Sequence, residues 1–136
     1  MILRMQLTYP YLRDGADRLL IAAGIRLQEA LMEINSVYRI AAGLEQVWQS
    51  RVLGAVGNSA IKVIKMGGEG IAAEAHDDFD ELLLVLEGAL PLVIDGRRFN
   101  LAAGDYCFVP KGAVHHVPAG SFGTLLLVDI RDAPPD

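Results

Sequence analysis

From about residue 51 onward the chain is written as short β-rich runs parted by turn residues, and no other feature restricts the fold as much. The runs are "RVLGAV", "AIKVIKM", "IAAEAH", "ELLLVLEG", "LPLVIDG", "RRFNL", "DYCFVP", "AVHHV" and "TLLLVDI". Such a series predicts an all-β sandwich or barrel. Asp95-Gly96 between two runs is a strong two-residue hairpin signal, because both residues tolerate positive φ. Gly57-Asn58, Gly67-Gly68 and Ala103-Gly104-Asp105 punctuate the others, and Gly88 and Gly96 are read as turn glycines. Pro91 inside one run predicts a strand that starts late or lies on an edge.

The first third is written differently. Residues 16–33 predict a helix, with Leu20, Leu27 and Leu31 near one stripe, and 40–48 predict a second, shorter one. The expected organisation is a helical N-terminal extension over 1–50, a β-barrel over 51–130 and a loose tail over 131–136. Met32 is an alternative start, so residues 1–31 are either an extra docked helix or not part of the native product. Along 81–87, Glu81, Leu83 and Val85 share one face and Leu82, Leu84 and Leu86 the other. A strand apolar on both sides needs two covers, and the second is either a helix or a partner subunit in a homodimer.

Composition narrows the function classes. A length of 136 residues fits one barrel with a sizeable core, and a net charge of −5 argues against a nucleic-acid footprint. No apolar run approaches the roughly 20 residues of a membrane span. The single cysteine, Cys107, excludes an intrachain disulfide and suits a reducing compartment, so a cytoplasmic protein is expected. Cys107 itself reads as a small apolar residue rather than a nucleophile.

Chemistry concentrates in "EAHDDFDELLLVLEG", residues 74–88. Glu74 and His76 are two apart and share a face on a strand, whereas Glu81 sits five past His76, at an odd offset. A turn at "DDFD" would bring Glu81 back to face His76 from a new strand. His115 and His116 are neighbours on a strand and must point oppositely, so only one can enter a shared cavity.

These residues fall into a pattern that resembles the cupins. The first cupin motif runs Gly, five residues, His-x-His, three or four residues, Glu, six residues, Gly. Gly68, His76, Glu81 and Gly88 stand in that register, with Glu74 where the first histidine belongs. The second motif is met by Gly104, Pro110, Gly112 and His115, with Ala119 in place of its closing asparagine. "DELLLVLEG" and "VPKGAVHH" are similar to small single-domain cupins labelled mannose-6-phosphate isomerase-like. The resemblance implies a jelly-roll β-barrel and a divalent metal held by Glu74, His76, Glu81 and His115. Exchanging an imidazole for a carboxylate hardens that set, favouring manganese or iron(II) among candidates that include zinc, nickel, copper and magnesium. Glu74 has an alternative, an ion pair with Lys62, Lys65, Arg97 or Arg98. The expected function is a small metal-binding cupin, with an enzyme acting on a small polar metabolite as one role open to it and the reaction unassigned. The alternative is a non-catalytic small-molecule-binding or regulatory cupin with a vestigial site.

Overall fold

The computed structural model describes residues 34–131, so the helix expected over 16–33, the alternative start at Met32 and the tail beyond Arg131 lie outside the described residues. One short helix, α1 (Val37–Ala42), precedes eight strands: β1 (Ser50–Val56), β2 (Ser59–Met66), β3 (Ile71–Glu74), β4 (Glu81–Ile94), β5 (Arg97–Ala102), β6 (Tyr106–Val109), β7 (His115–Val117) and β8 (Phe122–Ile130). Every pairing is antiparallel, in the order β1-β2-β8-β4-β7-β3, with β5 and β6 on the other flank of β4. The result is a curled, all-β jelly roll, as the run-and-turn texture predicts. No helix among the described residues is long and apolar enough to cross a membrane.

β4 organises the sheet, and here the structure corrects the sequence reading. "ELLLVLEG" and "LPLVIDG" are one strand of 14 residues, not two strands with a turn at Gly88. Gly88 sits within it at φ 84, opposite Gly123 of β8 at φ 100, just past a bulge between Val85 and Glu87. The glycine pair lets two bent strands pass at a distance no side chain permits: a methyl on either would strike the backbone of the other strand. Pro91 is tolerated inside β4 because pairing with β8 stops at Ala89 and pairing with β7 begins only at Val93. Asp95 (φ 47) and Gly96 (φ 80) form the expected hairpin turn, both with the positive φ of a type I′ turn.

Inward-facing Leu83, Val85, Leu90, Leu92, Leu125 and Leu127 make the core. Burying a leucine side chain contributes about 1.5–3 kcal/mol, so this cluster is the main source of cohesion. The second helix is also shorter and earlier than expected: α1 ends at Ala42 and the 40–48 stretch is not one helix. Gly43 weakens continuation, and Leu44 and Trp48 are drawn onto the barrel instead, Leu44 at 2% exposure. α1 packs against β2, where Val63 is fully buried. It covers that end of the outward sheet face but not β4 and β6. There, register aligns Phe108, Leu82, Val128 and Ile61 in one outward row, and Tyr106, Leu84 and Leu126 in the next.

Candidate metal centre

Three connected constraints bring the four sequence-predicted residues together. Glu74 ends β3 directly opposite His115 of β7, beside an irregularity in the ladder that follows Ile71. His115 is also paired with Ile94 at the far end of β4. The β4–β5 hairpin tip pins that segment, since the Asp95 carboxylate accepts from the Val114 N–H at 3.0 Å and the Asp95 N–H donates to the Val114 carbonyl at 2.8 Å. Glu81 opens β4 on its inward side, paired with Val109. Between them, residues 75–80 turn the chain as "DDFD" suggests. The Asp80 carboxylate accepts from the Lys111 N–H and the His76 carbonyl from the Gly112 N–H, which ties this turn to the Pro110–Gly112 turn. Asp80 therefore has a structural task that its place in an acidic run does not reveal.

The side chains converge on a small volume. Nε2 of His76 lies 3.1 Å from Glu81 Oε1 and 3.6 Å from Glu74 Oε1; Nε2 of His115 lies 3.3 and 3.6 Å from the same two oxygens. Ligand atoms of Glu74, His76 and His115 all fall within 4.8 Å of one another, and Glu81 reaches both imidazoles more closely still. Glu81 is 5% exposed, and its ion-pair contacts among the described residues are to the two histidines. His116 points away and is half-buried, so the alternation along β7 selects His115. Lys62 is engaged elsewhere, 2.8 Å from Asp129, and is not the partner of Glu74.

The electrostatics follow from this geometry. Nδ1 of His115 lies 3.0 Å from the Ala113 carbonyl, so in the neutral ring Nδ1–H donates there and the Nε2 lone pair faces the carboxylates. The pKa of His115 is raised, chiefly by its hydrogen bond to Glu81, against the opposing effect of burial. A proton on that nitrogen stands where another cation could. Nε2 of His76 is buried with no hydrogen-bond partner although Glu81 is close, and its ring stacks on Phe79 with centroids 4.6 Å apart. Near but misaligned polar atoms that point to one centre suit an ion better than they suit each other. Two atoms each about 2.1 Å from one ion lie roughly 3.0 Å apart at a right angle and 3.4 Å at a tetrahedral angle. The Glu81 spacings of 3.1 and 3.3 Å fit that range, and the two Glu74 spacings of 3.6 Å lie just beyond it. Cys107 is half-buried and outside this cluster, and burial pushes its thiol up, away from reactivity.

A family model for the cupin domain matches residues 61–131, which carry most of β2, every later strand and all four clustered residues. The chain belongs to the cupin family. Quercetin 2,3-dioxygenase of Bacillus subtilis is 40% identical over 67 residues, 48% of this chain and 20% of that protein. The chain thus spans about a fifth of that relative. Among solved structures, a cupin-2 domain protein of Shewanella frigidimarina superposes with a TM-score of 0.67 at 24% identity, covering 72% of this chain and 95% of that one. An RmlC-like cupin from the same organism superposes with a TM-score of 0.54 at 25% identity, covering 64% and 75%. These likenesses support a small single-domain cupin. One site neighbour was not legible in the sequence. Trp48, from the segment before β1, lines the cavity that Glu74, Glu81 and His115 face, and no motif marks it.

Proposed function

We propose that this cupin holds one divalent metal through Glu74, His76, Glu81 and His115 and acts as an enzyme on a small molecule that enters the metal's remaining positions. The observation that carries the reading is that Nε2 of each of two imidazoles lies 3.1–3.6 Å from both the buried Glu81 and the partly exposed Glu74. Burying a carboxylate costs several kcal/mol unless its charge is met, so Glu81, 5% exposed between two imidazoles, favours a cation at this centre. Two carboxylate and two imidazole ligands favour manganese or iron(II) by ligand type, with zinc and copper competing by affinity. A metal held there would supply Lewis acidity and open coordination positions. Titrating manganese(II) and, without oxygen, iron(II) into protein purified without a chelating tag should give one ion per chain. Glu74→Gln should weaken binding by about tenfold or more, and Glu74→His should keep binding while shifting preference toward softer ions. Equal affinity of Glu74→Gln and wild type removes Glu74 from the ligand set. No stoichiometric metal leaves the non-catalytic, ligand-binding alternative.

The homodimer belongs to the outward face of β4, β6 and β8. Tyr106 is 65% exposed and Phe108 62% exposed, on a strand that among the described residues pairs only with β4. β6, "YCFV", carries none of the charges or prolines that guard a free edge. An antiparallel edge matches its own copy under a two-fold axis, which favours a second chain as the cover. Light scattering should return twice the chain mass, and Phe108→Asp should return one. A monomeric wild type at micromolar concentration overturns this assignment.

A further inference from the structure

Beneath the clustered side chains lies a cavity of about 40 Å³, and its character differs sharply from its polar mouth. Five leucines (Leu83, Leu90, Leu92, Leu125 and Leu127) line it together with Trp48. Among the described residues no lysine or arginine lines it, and its ionisable lining is confined to Glu74, Glu81, His115 and His116. Trp48 is held unusually firmly for a residue outside the strands. Its φ is 62, which a bulky side chain rarely adopts, its backbone N–H donates to the Lys65 carbonyl, and its Nε1–H donates to the Gly67 carbonyl at 2.9 Å. A strained backbone fixed at both ends of the side chain points to a wall whose position matters.

Resting on the metal reading above, we infer that the ligand is a small chelator with a short aliphatic body, and that Trp48 sets the size limit. Volume decides between candidates. A dry apolar cavity of about 150 Å³ holds a benzene ring, and a single water needs about 10–15 Å³. The space here admits two or three carbons and no ring. A polycyclic ligand such as quercetin, named for the Bacillus subtilis relative, does not fit this wall. Charged bodies are excluded by the leucines, because an ion buried among them has no partner. The ligand's polar atoms therefore belong at the Glu74–His115 end and its carbons among the leucines.

Two hydroxamates with the same chelating head test the size limit. Manganese-loaded wild type should bind acetohydroxamate at least about tenfold more tightly than benzohydroxamate, and Trp48→Ala should reverse that order, as steric pockets discriminate on this scale. Trp48 is the single tryptophan, so acetohydroxamate binding should also change the wild-type emission. Should Trp48→Ala not fold, Trp48→Leu opens the same wall more gently and should narrow the preference. Metal content measured in the same samples separates a failed metal reading from a failed size limit. A second measurement needs no metal: the leucine methyl resonances of the metal-free protein should shift in xenon-saturated buffer and not with benzene, and benzene should become effective in the Trp48 variant. Wild type binding benzohydroxamate as well as acetohydroxamate, benzene entering wild type, or a Trp48 variant with unchanged preference each overturns the inference.

Discussion

Gly88→Ala is expected to lower stability by about 3 kcal/mol or more, a large fraction of the roughly 5–15 kcal/mol that holds a typical domain folded. Two costs combine at this position. The residue sits at φ 84, where a Cβ costs about 1–2 kcal/mol. The added methyl would also run into the Phe122 carbonyl and Gly123 Cα of β8, backbone atoms that cannot rotate away. Gly96→Ala supplies the control, since Gly96 has φ 80 but nothing within 4 Å of a built Cβ. It should cost only the conformational part. Thermal unfolding of the two variants should differ by on the order of 10 °C. Equal losses would mean that the close approach of β4 and β8 relaxes freely, and the bulge would then not fix the strand path.

That pair of glycines also marks the limit of what the chain discloses before it is folded. Asp95-Gly96 and Gly88 look alike as local punctuation, because each marks a backbone that needs positive φ. Only the first is a turn. The second serves a contact with Gly123, 35 residues away in the chain, and no local pattern distinguishes the two cases. The failure over 40–48 has the same origin: the residue types suit a helix, but Leu44 and Trp48 gain more by burial against the barrel. The clustered site was more legible than the fold around it. Strand alternation separates His115 from His116, and the odd offset of Glu81 requires the turn that the structure contains. The chemistry at the mouth is written as spacing within short segments. The apolar wall is not, because Trp48 and the leucines come from three separate stretches and acquire a common function only through closure of the barrel.

His115→Ala is expected to abolish metal-induced stabilisation, and the pH dependence of the wild type should show why. In the metal-free protein Glu81 holds the His115 proton, so the folded-state pKa lies above the ordinary value of about 6.5. A group with a raised folded-state pKa stabilises the fold fully below its unfolded value, and that contribution fades as pH rises through the folded value. Metal reverses the sign, because binding needs the neutral imidazole and gains affinity as the proton leaves. The metal-free protein should therefore lose the His115 contribution on going from about pH 5.5 to about pH 8, while the stabilisation added by metal should grow over the same interval. At a metal concentration a thousandfold above Kd the gain approaches 4 kcal/mol, a rise in Tm of roughly 15 °C or more for a domain of this size. In His115→Ala both slopes should flatten, since the proton and the metal lose the same nitrogen. A variant that kept the wild-type metal response would place the ion away from β7. Retention of the metal-free pH slope alone would mean that another group, not His115, carries the titration.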